Sequence, residues 1–313
     1  MVSGLKERAT INPQIVVLKR IKIEPRFLGQ LMCSPLIKRQ VTAVVAGGAL
    51  PTLTQKQIAS FFLSIPARLA EQHAIAEALS DADAYIESLV QLLAKKRDIK
   101  QGVMQELLTG QRRLPGFTEP WKNVQLGNIA VLKNGYAFKS SSYEQSGIFN
   151  IVTISNVQDG FMDVNHFSKL AIIPADVQRH QLLEFDDILI SMTGNVGRVC
   201  RVDLGHCLLN QRVGKIVPYD INRNFLFQSL KQKTFAISMM AKATGGAQGN
   251  LKSSHILENN VLCPSSVDEQ QQISSILDTM DLEITVLQSK VEKSHDIKQG
   301  MVQELLTGRT RLV

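Results

Sequence analysis

Cations and planar polar side chains recur on turn-rich stretches in the middle of this chain. Lys133, Asn134, Tyr136 and Lys139 share one such stretch, LKNGYAFKSSSY. Arg198 and Arg201 follow the turn Thr193-Gly194-Asn195-Val196-Gly197. Gln248, Asn250 and Lys252 lie on a glycine-rich loop, TGGAQGNL. Lysine and arginine neutralise phosphates, while amide, guanidinium and hydroxyl groups hydrogen-bond the edges of bases. Neighbouring glycines let a ligand approach the backbone. The chemistry these types support is non-covalent recognition of a polyanion, nucleic acid being one such partner. The competing reading is structural: a folded turn with Phe138 in the core, and a plain β-turn at 193–197. For Asn210 in LNQRV a structural role weighs at least as much as a base contact, because only this Asn recurs elsewhere, as Asn12.

Covalent chemistry finds little support. No GxxxxGK[ST] occurs, so no nucleotide phosphate loop is implied. Asp176, Glu184, Asp186 and Asp187 resemble a nuclease carboxylate cluster, but no lysine lies near enough in sequence to complete it. His206 sits between Cys200 and Cys207 without the paired short intervals of a zinc site. No stretch looks like a methyltransferase cofactor loop. No residue is therefore assigned a catalytic or metal-ligating role. The 35 Lys and Arg against 28 Asp and Glu give a net charge of +7, which suits a polyanion partner but also plain solubility. The four cysteines form no CxxC pair and are expected to be buried free thiols in a reducing compartment. The opening MVSGLKERAT has no apolar signal core, so a cytoplasmic location is expected.

The elements that must position these residues are marked by a repeat. DIKQGVMQELLTG at 98–110 returns as DIKQGMVQELLTG at 296–308, an offset of 198 residues. The same offset joins Glu71-Gln72 to Glu269-Gln270, Phe27-Leu28 to Phe225-Leu226 and Gly47-Gly48-Ala49 to Gly245-Gly246-Ala247. Residues 9–114 and 207–312 are thus two copies of one unit. Each copy predicts a short strand (Ile15–Leu18; Lys215–Val217), a helix (Pro25–Val45; Asn222–Thr244), a glycine-rich loop and a second apolar stretch (Ile58–Ile65; Ile256–Cys263). A long amphipathic helix follows. Its apolar positions step by four and three: Ile75, Leu79, Ala82, Ile86, Leu89 and Leu93 in one copy, and Ile273, Leu277, Met280, Ile284, Leu287 and Val291 in the other. That spacing makes a coiled-coil stripe. Lys96 and Ser294 interrupt it, and it resumes at Val103 and Leu107, and at Met301 and Leu305. Gly102 and Gly300 inside the pattern suggest a bend or a close helix contact. Each stripe needs a partner, and antiparallel pairing of the two helices supplies it.

Residues 115–206 appear once. They predict β segments at Val124–Leu126, Ile129–Leu132, Ile148–Ile154, Gly160–Val164, Asp187–Met192 and Arg198–Val202, an α+β domain when joined to 207–267. The matching block before residue 9, about 92 residues long, is absent. Val16, Leu18, Phe61 and Phe62 are then expected to lose their cover.

With these features the chain resembles the specificity subunit of type I restriction–modification systems. The resemblance rests on KQGVMQELLTG and KQGMVQELLTG, the EQxxI starts at Glu71–Ile75 and Glu269–Ile273, and DDILISMTGNVGR, LNQRV and TGGAQGNL. It implies globular target-recognition domains and two long conserved helices packed as an antiparallel coiled coil. It further implies that each recognition domain reads half of a split double-stranded DNA site, with the helices as a ruler for the gap. Modification (methyltransferase) subunits, two of them, would dock on the helices, and restriction (translocase/nuclease) subunits would join. The subunit would belong to a site-specific deoxyribonuclease and adenine methyltransferase complex without being an enzyme itself. It would hold no cofactor, since S-adenosylmethionine, ATP and Mg belong to partner subunits. Duplicated ends suit a surface that docks the same partner twice. The docking residues would be Asp98, Lys100, Gln101, Gln105 and Glu106, with Asp296, Lys298, Gln299, Gln303 and Glu304.

Set against the family, the chain divides into a remnant of a first recognition domain (1–66), a first long helix (67–114), a complete second recognition domain (115–267) and a second long helix (268–313). An N-terminal truncation is the expectation. Two other readings are an inactive remnant or recombination donor, and a stand-alone nuclease.

Overall fold

The computed structural model of the chain describes residues 15–45, 53–243 and 249–312. Two compact units emerge: a terminal unit, Met1–Lys95 with Ile284–Val313, and a central unit, Lys96–Glu283. The long helices α4 (Leu69–Leu108) and α8 (Val267–Leu306) contribute to both. Each has 40 residues. At roughly 1.5 Å of rise per residue, that is a length of about 60 Å.

In the central unit, β1 (Trp121–Gln125) pairs antiparallel with β10 (Asn260–Pro264). A four-stranded antiparallel sheet runs β2 (Ala130–Asn134), β9 (Val213–Pro218), β6 (Ile188–Ser191), β7 (Val199–Arg201). A second sheet runs β4 (Ser168–Leu170), β3 (Phe149–Val152), β8 (Cys207–Leu209), β5 (Leu182–Leu183), with β3 and β8 parallel. Strand β6 reads ILIS and is buried at all four positions, as a strand covered on both faces must be. One face meets Leu226, Leu230, Met239 and Ile256 from α5 (Arg223–Leu230), α6 (Lys233–Lys242) and α7 (Ser253–Leu257). The other meets Val152, Cys200 and Leu209. Where Leu107 and Leu108 of α4 run past Ile273 and Leu277 of α8, Phe225 and Cys263 close the cluster. The terminal unit repeats this with Ile75, Leu79, Leu305, Leu306, Phe27 and Leu31.

Most stripe positions are buried or half-buried in both helices. In each unit the segments run antiparallel, since low numbers on α4 meet high numbers on α8: Asp83 pairs Lys298, and Lys100 pairs Asp281. Gly102 and Gly300 lie in unbroken helix, and a Cβ at either would meet nothing within 4 Å. The helix interrupts for neither, and no neighbour crowds either. Both helices stop before Gly110 and Gly308, whose φ values are 70° and 72°. Only glycine adopts that conformation cheaply.

Several local expectations change. Pro25–Val45 is two helices, α1 (Pro25–Cys33) and α2 (Pro35–Val45). Pro35 supplies no N–H to continue the first and opens the second instead. The counterpart divides likewise into α5 and α6. Helix α3 (Gln55–Ala59) and α7 begin the second apolar stretches. Ile15–Leu18 is no strand, and no described residue pairs with it. Gly160–Val164 shrinks to a single bridge, Val157 to Met162. Strands β4, β5 and β8 add to the expected segments. Three cysteines are buried, and burial pushes the Cys200 thiol up to about 12; Cys33 is exposed instead. Val16, Leu18 and Phe62 are exposed, with Phe62 at 87%. No described helix is long and apolar enough to cross a membrane.

Candidate nucleic-acid interface and helix contacts

Antiparallel strand order gathers distant loops at one end of the sheet. β2 ends at Asn134, opposite Gly214 near the start of β9; Gly214 lies opposite Ile190 near the end of β6; and Ile190 lies opposite Val199 at the start of β7. The segments leaving that edge are 135–139, 192–198 and 210–212. The glycine-rich loop joins them through a bridge from Thr193 to Asn250 and hydrogen bonds from Gly194 to Gly249 (3.1 Å) and Leu251 to Met192 (2.8 Å). Gly135 is required here: a Cβ would lie 2.1 Å from the Asn210 carbonyl oxygen.

Lys133, Asn134, Arg198 and Asn250 therefore share one edge. Lys133, Asn134 and Asn250 are exposed. Arg198 is half-buried, and its Nη1 donates to Gln158 at 2.7 Å. Tyr136 is bridged to Asn210, and its hydroxyl donates to Asp176 at 2.9 Å. That hydrogen bond, with burial and the Asp176 charge, raises the phenol pKa and keeps it protonated. Lys139 is exposed one residue beyond Phe138, which is buried as the structural reading of this turn required. Lys252 is exposed, at the start of α7. Gln248 lies outside the described residues.

Arg201 belongs elsewhere. It ends β7 at the far side of the sheet, its guanidinium 4.1 Å from the Phe227 ring centre and its Nη2 3.4 Å from Asp278. It ties sheet to helix rather than facing out. Asn210 is buried, and its Oδ1 accepts from the Arg212 backbone at 3.3 Å. Gln211 and Arg212, left out of the candidate set, are both exposed at this same edge. Their signal lies in LNQRV, where two polar residues precede a buried strand start. His180, with Nε2 3.1 Å from the Asn134 carbonyl, gives no such signal.

The repeated helix motifs do two things. Lys100 and Lys298 pair with Asp281 and Asp83 at positions 198 residues apart, so these lysines hold the helices together. Burial pushes the Asp281 carboxyl up, but Lys231, Gln228 and Lys100 together hold it below the usual range, the charged form being favoured by each of them. Lys231 itself is driven down to about 8 by burial and the nearby Lys100 charge, against the pull of Asp281. Asp98, Gln101, Gln105 and Glu106 are exposed on α4, as are Asp296, Gln299 and Gln303 on α8, with Glu304 half-buried. Beside each motif lies a cavity with matching walls. One, of about 250 Å³, is lined by Leu108, Thr109, Thr234, Phe235, Val261 and Leu262. The other, of about 180 Å³, is lined by Leu306, Thr307, Leu36, Ile37, Leu63 and Ser64.

The Glu-Gln pairs also find their purpose. The buried Gln72 accepts from the Glu24 backbone and donates to the Pro66 carbonyl, both at 2.8 Å. Gln270 does the same for Asn222 (2.8 Å) and Pro264 (2.9 Å). Glu269 takes both arms of Arg113, at 2.7 and 2.8 Å. Glu71 takes both arms of Arg311, whose hydrogen bonds hold its carboxyl below the ordinary range.

The comparisons with known proteins bear on the family and the fold. The model for the type I restriction modification DNA specificity domain matches residues 5–95 and 118–293. The MjaVIII type I restriction enzyme specificity subunit of Methanocaldococcus jannaschii is 23% identical over 286 residues, covering 85% of this chain and 66% of that protein. The putative MjaX specificity subunit of the same organism is 24% identical over 305 residues, 93% of this chain and 69% of that one. This chain thus spans about two thirds of their length. Among solved structures, the type I system S subunit from M. genitalium shares the fold at a TM-score of 0.63 and 18% identity, covering 90% of this chain and 72% of that one. A chain from a study of type I R-M complex assembly and conformational transition scores 0.55 at 18% identity, covering 91% and 71%. With its family model matched over most of its length, the chain belongs to the type I restriction–modification DNA specificity family.

Proposed function

We propose that this chain is a non-catalytic subunit that reads part of a bipartite double-stranded DNA site. The edge of the β2-β9-β6-β7 sheet is the reading face, and Lys133, Asn134, Arg198, Arg212 and Asn250 are its foremost contacts. The single observation that carries the reading is that the fold gathers these side chains, distant in sequence, onto one exposed edge. Lysine and arginine there would neutralise phosphates, and the amides would meet base edges. The exposed faces of 98–106 and 296–304, with the cavities beside them, would dock two modification subunits, and restriction subunits would join that core in the cytoplasm. S-adenosylmethionine, ATP and Mg would be held by those partners. Residues 1–66 would be part of one recognition domain and 115–267 a complete second.

Co-expression with a modification subunit tests this. Methylated adenines mapped across a host genome should fall in one sequence motif. Arg212→Ala together with Asn250→Ala should erase or relax that motif while leaving the subunits co-purifying. Unchanged methylation in the double variant would sink the assignment of the face.

A further inference from the structure

The two copies allow a direct comparison of what is filled in one and open in the other. In the central unit Trp121 leads β1 and lies against the end of α4. A Cβ at Gly110 would meet the Trp121 ring at 3.2 Å, Arg113 stands 5.9 Å over that ring, and Phe225 meets it edge-on at 6.3 Å. The counterparts in the terminal unit are Gly308, Arg311 and Phe27. Gly308 has the same backbone turn as Gly110, yet nothing described lies within 4 Å of a Cβ there. Arg311 grips Glu71 as Arg113 grips Glu269, yet its side chain is 62% exposed where that of Arg113 is 28%. Phe27 is already covered by its own neighbours, so an added ring would rest on Gly308 and Arg311.

Among the described residues the segment beside the seat, 62–66, is unpaired too. In the central unit the Leu126 N–H donates to the Asn259 carbonyl at 2.8 Å. Antiparallel alternation then puts the next bonded pairs at Val124/Val261 and Lys122/Cys263. The counterparts of Val261 and Cys263 are Leu63 and Ile65. Among the described residues neither makes a backbone hydrogen bond, and both side chains are exposed. Phe62, just before Leu63, bonds Gln40 of α2 through both its N–H (2.9 Å) and its carbonyl (3.0 Å), which anchors the start of the segment.

We propose that residues 62–66 with Gly308 and Arg311 form a strand-docking site for an extended, tryptophan-led polypeptide of the Pro-Trp-polar-polar-Val-polar type. The incoming strand would add antiparallel to 62–66, with backbone hydrogen bonds at Leu63 and Ile65. Its indole would lie over Gly308 under the Arg311 guanidinium, a cation–π contact. An unpaired edge is a template for pairing with another strand, and the seat on Gly308 and Arg311 selects one led by tryptophan. The site belongs to the terminal unit and the proposed reading face to the central one, and neither inference depends on the other.

The test uses the full chain without nucleic acid and a fluorescent peptide of residues 118–128, TEPWKNVQLGN, followed by anisotropy. Saturable binding is expected. It should weaken tenfold or more when the peptide's tryptophan is changed to alanine, and equally in the chain variant Ile65→Asp, whose exposed site leaves folding intact. Light scattering reports whether the chain self-associates. A dimer that the peptide dissociates, and that Ile65→Asp abolishes, would identify a second copy as donor and support the site. A monomer that ignores the peptide, binding indifferent to the tryptophan, or a dimer untouched by peptide and variant would each overturn it.

Discussion

Residues 15–66 and 213–264 descend from one sequence pattern, yet only their helices look alike. α1 and α2 match α5 and α6, down to a side-chain cap that accepts from Phe27 N–H in one and Phe225 N–H in the other. The strands differ. Val213–Pro218 pairs with both β2 and β6, while residues 15–18 are exposed and unpaired among the described residues. Asn260–Pro264 pairs with β1, while 62–66 joins no described strand. The reason is where the hydrogen bonds go. A helix satisfies its backbone from within its own segment, whereas a strand borrows partners from elsewhere in the chain. Copying a sequence copies its helices; it copies a strand only if the neighbour comes too.

Breaking the shared part of the comparison should give the largest effects. Phe225 and Phe27 are both fully buried. Phe225→Ala and Phe27→Ala should each cost about 3–5 kcal/mol. Hydrogen exchange should show the Phe27→Ala loss confined to α1 and the paired segments at 69–95 and 284–306, with β6 still protected. Loss of protection in β6 would mean the two units are not separable.

Next come the arginines on the reading edge against the one at the far end of β7. Arg212→Ala or Arg198→Ala should lower the slope of log affinity against log salt by about 1 each, at little cost in stability. Arg201→Ala should do the reverse, lowering the melting temperature and leaving the salt slope alone. Identical salt slopes for all three would erase the distinction between reading edge and structural tie.

Smaller still, Gly110→Ala and Gly308→Ala share a left-handed backbone cost of about 1–2 kcal/mol. Only Gly110→Ala also presses on Trp121. The denaturation midpoint should fall further for Gly110→Ala, and equal shifts would show that the Trp121 contact yields freely. Acid should act mildly on both units. Glu71, Asp83 and Asp281 are all held below their ordinary range, Glu71 by the hydrogen bonds of Arg311, and the two aspartates by Lys298 and by Lys231 with Lys100, against burial. Their contribution is complete above the unfolded carboxylate range near about 4 and drains away as pH falls through the lower folded values. Melting temperature followed from about pH 6 to about pH 3 should decline, and less so in Asp83→Asn.

Much of this was legible beforehand. The four-three spacing located both long helices, because one periodic stripe sustained over 40 residues admits few other structures. The repeat located the paired contacts, though not their purpose; nothing in a Glu-Gln dipeptide says that Gln270 will bond Asn222 and Pro264. Strands β4, β5 and β8 have two or three residues each, too few for alternation to show. Ile15–Leu18 has strand chemistry and no strand, since its type alone cannot supply a neighbour. Of the candidate contact residues, those on turns were legible as types, but only topology could separate Arg198, just before β7, from Arg201 at its end. Pro35 marked the break between α1 and α2 in plain sight.

The Glu–Arg pairs at the ends of the long helices cross between the copies. Glu71 opens the long helix of the first copy and is bound by Arg311, which closes the second; Glu269 opens the second and is bound by Arg113, which closes the first. Each of these two locks joins the head of one copy to the tail of the other. In contact terms the frame is a homodimer interface written into a single chain. A charge reversal at Glu71 is answered first at Arg311, 240 residues away, so the two ends by which the copies hold each other must change together.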